Sequence, residues 1–399
     1  MSTERPDDLD DLDDLPPRRP DEPDRGMRDE DRDDRPPPPR KRGFGFWMAV
    51  LWCLAYLFVT QILALLVCGI PIAAVFIVKE IARNGMATFE DPDKTKAWTQ
   101  GDDGRLMLIS VLIASHLVGL LFGWLLFRWH LGGRTWRRRI ALTRRPAATH
   151  WVLLVIGMPA ALALSAALEK PIMRYVPSIQ DLLNRAHIDF EWPGIEAMEP
   201  ILRKTPFALA LFAVAILPAF NEEFWCRGFL GQNLAGRYRT WTVMLMTGFL
   251  FGAIHLEPRQ GLWAMFFGAA IYGAYAATRS LWAAMFIHFV NNGLAVVHSS
   301  DQINWPVLQP FEDVLERSPT LFVASSALLF AAVSYAFYQT RCKLAAVDPR
   351  PVWRPRGVSG VELPPPDSGT IVTHDPLSAL SVALILIGAV AFGLVMALA

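Results

Sequence analysis

The sequence is poor in cysteine, carries no net charge and lacks an apolar leader. Its four cysteines among 399 residues are Cys53, Cys68, Cys226 and Cys342, and none form a CxxC pair. That pattern excludes a disulfide framework and a cysteine-built zinc cluster. The 38 basic and 38 acidic side chains cancel, so no global field favours nucleic acid and none is expected as a partner. The first forty residues have no apolar h-region, so no cleavable signal peptide is expected and the first hydrophobic helix must itself direct insertion. No helical HExxH occurs, so any metal site has to be assembled across helices.

What is present divides sharply. Residues 1–43 hold 15 acidic and 10 basic side chains, many prolines and almost no large apolar residue. Such a segment buries too little surface to offset its ordering entropy and is expected to be disordered. Beyond it the chain predicts an all-α, polytopic transmembrane helical bundle. A span needs about 20 mainly apolar residues, and nine segments qualify: 46–78, 106–127, 151–168, 207–230, 241–256, 261–278, 281–297, 321–338 and 377–399. The first is over-long, and Gly69-Ile70-Pro71 offers a kink or an end. The third is the weakest, being short and holding Pro159. Residues 169–206 mix Leu, Ile and Trp with charges and suggest an amphipathic interfacial helix. Four regions result: the tail 1–43, N-terminal helices with an arginine-rich loop (44–150), a core (151–299), and C-terminal helices with a proline-rich linker (300–399).

Loop charge orients the bundle. Arg40-Lys41-Arg42 precedes the first span, and residues 128–150 carry seven arginines and no acid. Arg237, Arg239, Arg279, Arg341 and Lys343 fall on the same side if the N-terminus is inside, as the positive-inside rule requires. Residues 298–320, on the other side, hold four acids and one arginine. Nine spans then leave the C-terminus outside.

Ionisable residues within spans are costly and mark function. The fourth span reads Asn221-Glu222-Glu223-Phe-Trp-Cys-Arg227. Glu223 and Arg227, at i and i+4, share a face and predict a neutralised pair. Glu222 points about 100° away and is left as the reactive carboxylate, a candidate general base. The fifth reads Phe251-Gly-Ala-Ile-His255, where Phe251 walls one side of a pocket into which His255 points. The seventh reads His288-Phe-Val-Asn291-Asn292, with His288 and Asn292 stacked on one face. Together, Glu222, His255, His288 and Asn292 supply what amide hydrolysis needs: a carboxylate and a histidine to activate water, and a histidine and an amide to stabilise an oxyanion. The alternative chemistry is a zinc ion held by Glu222, His255 and His288 with one open position.

These three motifs, in this order, resemble the CPBP family of intramembrane proteases, related to type II CAAX prenyl endopeptidases and to bacteriocin-processing or immunity proteins. The family is marked by EExxxR, FxxxH and HxxxN or HxxxD on successive membrane segments. The resemblance covers about residues 207–297. It implies that Glu222 and His255 activate water or bind metal, and that His288 and Asn292 stabilise the oxyanion or add ligands, with Glu223, Arg227 and Phe251 in support. It also implies an intramembrane endopeptidase acting on a membrane-associated, CAAX-like substrate, within the lipid bilayer of a bacterial plasma membrane. The competing expectations are a proton-relay transporter and a non-catalytic immunity or scaffold protein.

One geometric condition comes with this reading. At ~1.5 Å per residue, His255 lies ~21 Å from the inner end of its span, against ~12 Å for Glu222 and ~10 Å for His288. Convergence towards the cytoplasmic half predicts that the fifth helix begins near Met244–Met246.

Overall fold

The computed structural model describes residues 43–131, 133–190, 199–303, 309–347, 349, 351–355 and 357–398. The segment expected to be disordered, 1–43, lies outside them but for Gly43. Among the described residues the architecture is all-α apart from one two-stranded ribbon. Nine principal helices follow in order: α1 (Phe46–Asn84), α2 (Asp102–His130), α3 (Ala148–Tyr175), α4 (Phe207–Ala235), α5 (Thr240–Ala253), α6 (Pro258–Thr278), α7 (Leu281–Ser299), α8 (Pro319–Gln339) and α9 (Ala379–Leu398). Seven are long and apolar enough to cross a membrane: α1, α2, α3 with the short helix after it, α4, α7, α8 and α9. The protein is therefore an integral membrane protein.

The expected nine spans thus reduce to seven by length and hydropathy, and the difference is α5 and α6. With 14 residues, α5 rises only ~21 Å, short of a ~30 Å hydrocarbon core. It stops because the chain turns at Ile254–Glu257, and Pro258 opens the next helix. The 21 residues of α6 suffice in length, but three glycines, two tyrosines and Arg259 lower its hydropathy. The two helices pack as a close antiparallel hairpin. A Cβ on Gly252 would sit 2.3 Å from the carbonyl of Gly261, and one on Gly248 2.7 Å from that of Met265. Only small residues four apart permit such an approach.

Other expectations shift at the ends. Gly69–Pro71 neither ends nor divides α1, which runs on as one 39-residue helix. Its backbone loosens into π-type turns at Phe58–Leu63 and Leu65–Gly69 just before Pro71, which spares the proline ring a clash with the preceding turn. Its end is tied to the start of α2 by Lys79 and Arg83, both on Asp103 at 2.6 and 2.8 Å. The weak third span proves to be a 28-residue helix that continues through Pro159 and Pro171. Packing offsets the lost backbone bonds: Leu153 and Ala160 join Leu329, Ala332, Val333, Ala336 and Ile385 of α8 and α9 in one cluster.

Two segments close the ends. After α3, a helix at Ile179–Arg185 begins with a capping box between Ser178 and Asp181. Arg259 of α6 bonds Asp181 and the Val176 carbonyl, each at 2.9 Å, while Glu257 accepts from the Ile179 N–H. The α5–α6 turn is covered by this segment. At the other end, the proline-rich stretch after α8 is docked. An antiparallel ribbon pairs Lys343–Ala346 with Thr370–Thr373. Between its strands, Val361, Glu362 and Leu363 are buried. Leu363 and Arg138 exchange bonds, the Leu363 N–H to the Arg138 carbonyl and Arg138 Nη1 to the Leu363 carbonyl, both 3.2 Å. Arg279 Nη1 donates to the Glu362 carbonyl at 3.1 Å.

Candidate active site

The site is built on α2, α4, the α5–α6 hairpin and α7. A cavity of about 200 Å³ is lined by Glu222, His255, His288, Asn292 and Phe251, with Leu112, His116, Val214, Pro218, Gln260, Trp263 and Phe267 among the rest. All four residues expected to carry chemistry therefore meet at one space.

The convergence does not come about as expected. α5 begins at Thr240, earlier than drawn and not at Met244–Met246. Instead α4 continues to Ala235, five residues beyond its expected end. Glu222 then lies ~20 Å from the inner end of α4 and His255 ~22 Å from the start of α5, so the two match. His288 remains ~11 Å from Leu281. The placement of the site in the cytoplasmic half rested on a later start for α5 and falls with it.

Glu223 and Arg227 are fully buried and paired at 2.8 Å, as the i, i+4 spacing predicted. Arg227 also donates to the Gly268 carbonyl at 2.7 Å and stacks over Phe251, its guanidinium carbon 4.7 Å from the ring centre. A buried charge demands this density of partners, since desolvation alone would cost several kcal/mol, roughly. Glu223 has a second role that helical phase did not reveal. Its Oε1 accepts from His288 Nδ1 at 2.8 Å. A carboxylate can only accept, so the His288 proton sits on Nδ1 and Nε2 offers a lone pair. That Nε2 lies 3.9 Å from Glu222 Oε2.

His255 follows the same rule. Its Nδ1 donates to the Phe251 carbonyl one turn earlier, at 2.8 Å, so Nε2 again carries the lone pair. Phe251 stands edge-on to both histidines, with centroids 5.0 Å from His255 and 5.7 Å from His288. Asn292 Nδ2 donates to His288 Nε2 at 3.2 Å and to the Val214 carbonyl at 3.0 Å. Both amide hydrogens are thus committed within the protein. Glu222 Oε2 is buried and has no hydrogen-bond partner among the described residues.

Two histidines whose Nδ1–H is held by a carboxylate or a carbonyl are turned as metal ligands usually are. Yet among the described residues no three His, Cys, Asp or Glu side chains gather closely enough to share an ion. The expected zinc triad of Glu222, His255 and His288 lines one cavity without closing into a site.

Sequence reasoning missed three contributors. His116, on α2, lines the cavity. Asn221 bonds it at 3.2 Å and the Tyr56 hydroxyl of α1 at 2.8 Å. The signal for His116 was an ionisable residue within an apolar span. Tyr56 and Asn221 had none, because their partners lie 165 and 105 residues away along the chain.

A buried carboxylate beside two oriented histidines within a membrane bundle is an arrangement suited to activating water. Residues 204–294, from the start of α4 into α7, match the family model "Rce1-like: Type II CAAX prenyl endopeptidase Rce1-like". That segment is thus similar to CAAX-type intramembrane proteases. No match was found among curated proteins or among solved structures.

Proposed function

We propose that the protein is an intramembrane endopeptidase that hydrolyses a peptide bond in a membrane-associated, CAAX-like substrate. The observation that carries this reading is the buried, unpartnered Oε2 of Glu222, a residue that lines one cavity with His255 and His288. A water held between Glu222 Oε2 and the His255 Nε2 lone pair gives its proton to Glu222 as its oxygen attacks the scissile carbonyl. On collapse of the tetrahedral intermediate, the C–N bond breaks and Glu222 returns that proton to the leaving amine. Glu223 and Asn292 hold His288 from its two sides, and Arg227 neutralises Glu223. The setting we infer is a bacterial plasma membrane with the N-terminus inside.

The test is cleavage of membrane-tethered peptides, prenylated and unprenylated, by the purified full-length protein in liposomes. Glu222→Gln should lower the rate at least ~100-fold, the lower bound for losing a general base. Unchanged cleavage would overturn the assignment. Glu222-dependent proton or solute uptake without cleavage would support the transporter instead. Zinc is tested separately. The donors as placed do not close on an ion, so cleavage is expected to survive chelation. Loss on chelation, with recovery on zinc addition, would show that Glu222, His255 and His288 close on the metal in turnover.

A further inference from the structure

We propose that a second cavity, beside the first, is a water site that supplies the nucleophile from within the bundle. This deepens the peptidase reading and rests on it. The cavity measures about 70 Å³ and lies between α1, α2, α4 and the end of α5. His116, Glu222 and His255 line both cavities, so the two adjoin at the carboxylate that takes the proton.

The two spaces differ in kind. Leu112, Val214, Pro218, Phe251, Trp263 and Phe267 give the larger one apolar walls fit for peptide side chains. Around the smaller one, Leu57 and Ile254 are the only aliphatic residues among the described residues. That polarity runs against the sequence around it. From Phe46 to Val78 the sole side chains with an aliphatic hydroxyl or an amide are Thr60 and Gln61, and both stand here. Polar side chains inside a span face a partner helix or a water-filled cavity. Both also fall in the π-type turn Phe58–Leu63, a distortion frequent at functional sites. Thr60 is buried and Gln61 exposed, so the polar lining runs from the surface of the bundle to Glu222.

The hydroxyls are disposed to receive water. Ser115 Oγ donates to the Thr60 carbonyl at 2.7 Å, and Thr60 Oγ1 donates to the Tyr56 carbonyl at 2.8 Å. A carbonyl only accepts, so each hydroxyl has spent its hydrogen and keeps lone pairs for another donor. Glu222 Oε2, buried without a hydrogen-bond partner among the described residues, is a further acceptor. Water, with two hydrogens to donate, suits such a set. A buried water makes about three hydrogen bonds and takes ~30 Å³, so the space holds about two. An acyl chain in its place would leave the carboxylate oxygen unmet, at a cost.

The need follows from depth. Glu222 lies about 20 Å from either end of α4, and each cleavage consumes one water. Its oxygen and one hydrogen end on the new carboxyl group and its other hydrogen on the new amine, so no co-reactant is required.

The test uses the full chain in liposomes. Thr60→Val combined with Gln61→Leu keeps the shape of the lining and removes its polar atoms. X-ray hydroxyl-radical labelling, read by mass spectrometry, reports water beside a side chain, and kcat, KM and thermal midpoint are measured alongside. Tyr56, although buried, should be labelled in wild type. In the double variant its labelling should fall severalfold relative to exposed Tyr175. There kcat should fall at least about tenfold with KM within about threefold, as expected for two or three lost hydrogen bonds to the source of the nucleophile. Thr60→Ser alone, which keeps the hydroxyl, should stay within about threefold of wild type. Should the double variant not fold, Ser115→Ala, which removes one small hydroxyl, should lower labelling and kcat together. Wild-type Tyr56 without label would overturn the inference, as would a fall in kcat with labelling unchanged. A kcat within about threefold of wild type in the double variant, beside an inactive Glu222→Gln, would overturn it and leave the peptidase reading standing. Absence of any Glu222-dependent cleavage would overturn both.

Discussion

Two adjacent glutamates do different work because a helix turns about 100° per residue. Glu223 is swallowed by the bundle, where Arg227 and His288 share its Oε1 at 2.8 Å each. Glu222 lines the cavity, and its Oε2 has no hydrogen-bond partner among the described residues. Arg227→Met should therefore be costly twice over. It leaves Glu223 buried without its cation, a loss of ~3–5 kcal/mol for a broken buried pair, and it releases the carboxylate that orients His288. The check is the unfolding midpoint in detergent together with cleavage rate, both expected to fall. Asn292→Ala takes a partner from the Val214 carbonyl, the His288 imidazole and the Asn291 amide, roughly 1–3 kcal/mol for each group left buried and unpaired. Its rate should fall while KM holds, because His288 is freed to rotate. A proportional rise in KM would instead place Asn292 on the substrate.

At the scale of elements, approach distances decide what the motifs can do. α5 and α6 touch backbone to backbone at Gly252 and Gly261, and this hairpin carries Phe251, His255 and the Gly268 carbonyl that Arg227 needs. Gly252→Leu should force the hairpin apart and lower both stability and activity. Gly119→Val is the sharper probe. Its added atoms would overlap the Asn221 amide while leaving every residue of the family motifs in place. Cleavage should fall by at least about tenfold with a smaller drop in midpoint, as expected of a misplacement of about 1 Å near the chemistry. Activity equal to wild type would show that Asn221 and His116 have no bearing on turnover.

Over the whole molecule, the family segment is wrapped by helices that do not belong to it. α1 and α2 complete the cavity wall through Tyr56 and His116, and α3, α8 and α9 form a separate apolar cluster beside it. The segment after α8, which reads as a linker, closes one end through Val361 and Leu363. Irregular backbone so docked should resist proteases. Leu363→Asp should expose it, and limited proteolysis of inverted vesicles should then cut between the two ribbon strands while wild type stays intact. Topology reporters at the two ends should fall on opposite sides of the membrane, because seven and nine crossings are both odd. Reporters on the same side would show that one crossing has been miscounted.

How much could be read along the chain depends on the range of the physics involved. Hydropathy and helical phase are local, so nine apolar segments, the Glu223–Arg227 pair, the Phe251–His255 face and the separation of Glu222 from Glu223 were all legible from the residues alone. Helix ends were less so, because packing carries α3 through two prolines and extends α4 to Ala235. What only the tertiary structure decided were the contacts between distant helices: Glu223 on His288 across 65 residues, and Asn221 on Tyr56 across 165. The first of those contacts sets which ring nitrogen of His288 holds its proton. The chain names its carboxylate and its histidines, but bundle packing determines which of them meet at one cavity and which partners hold them.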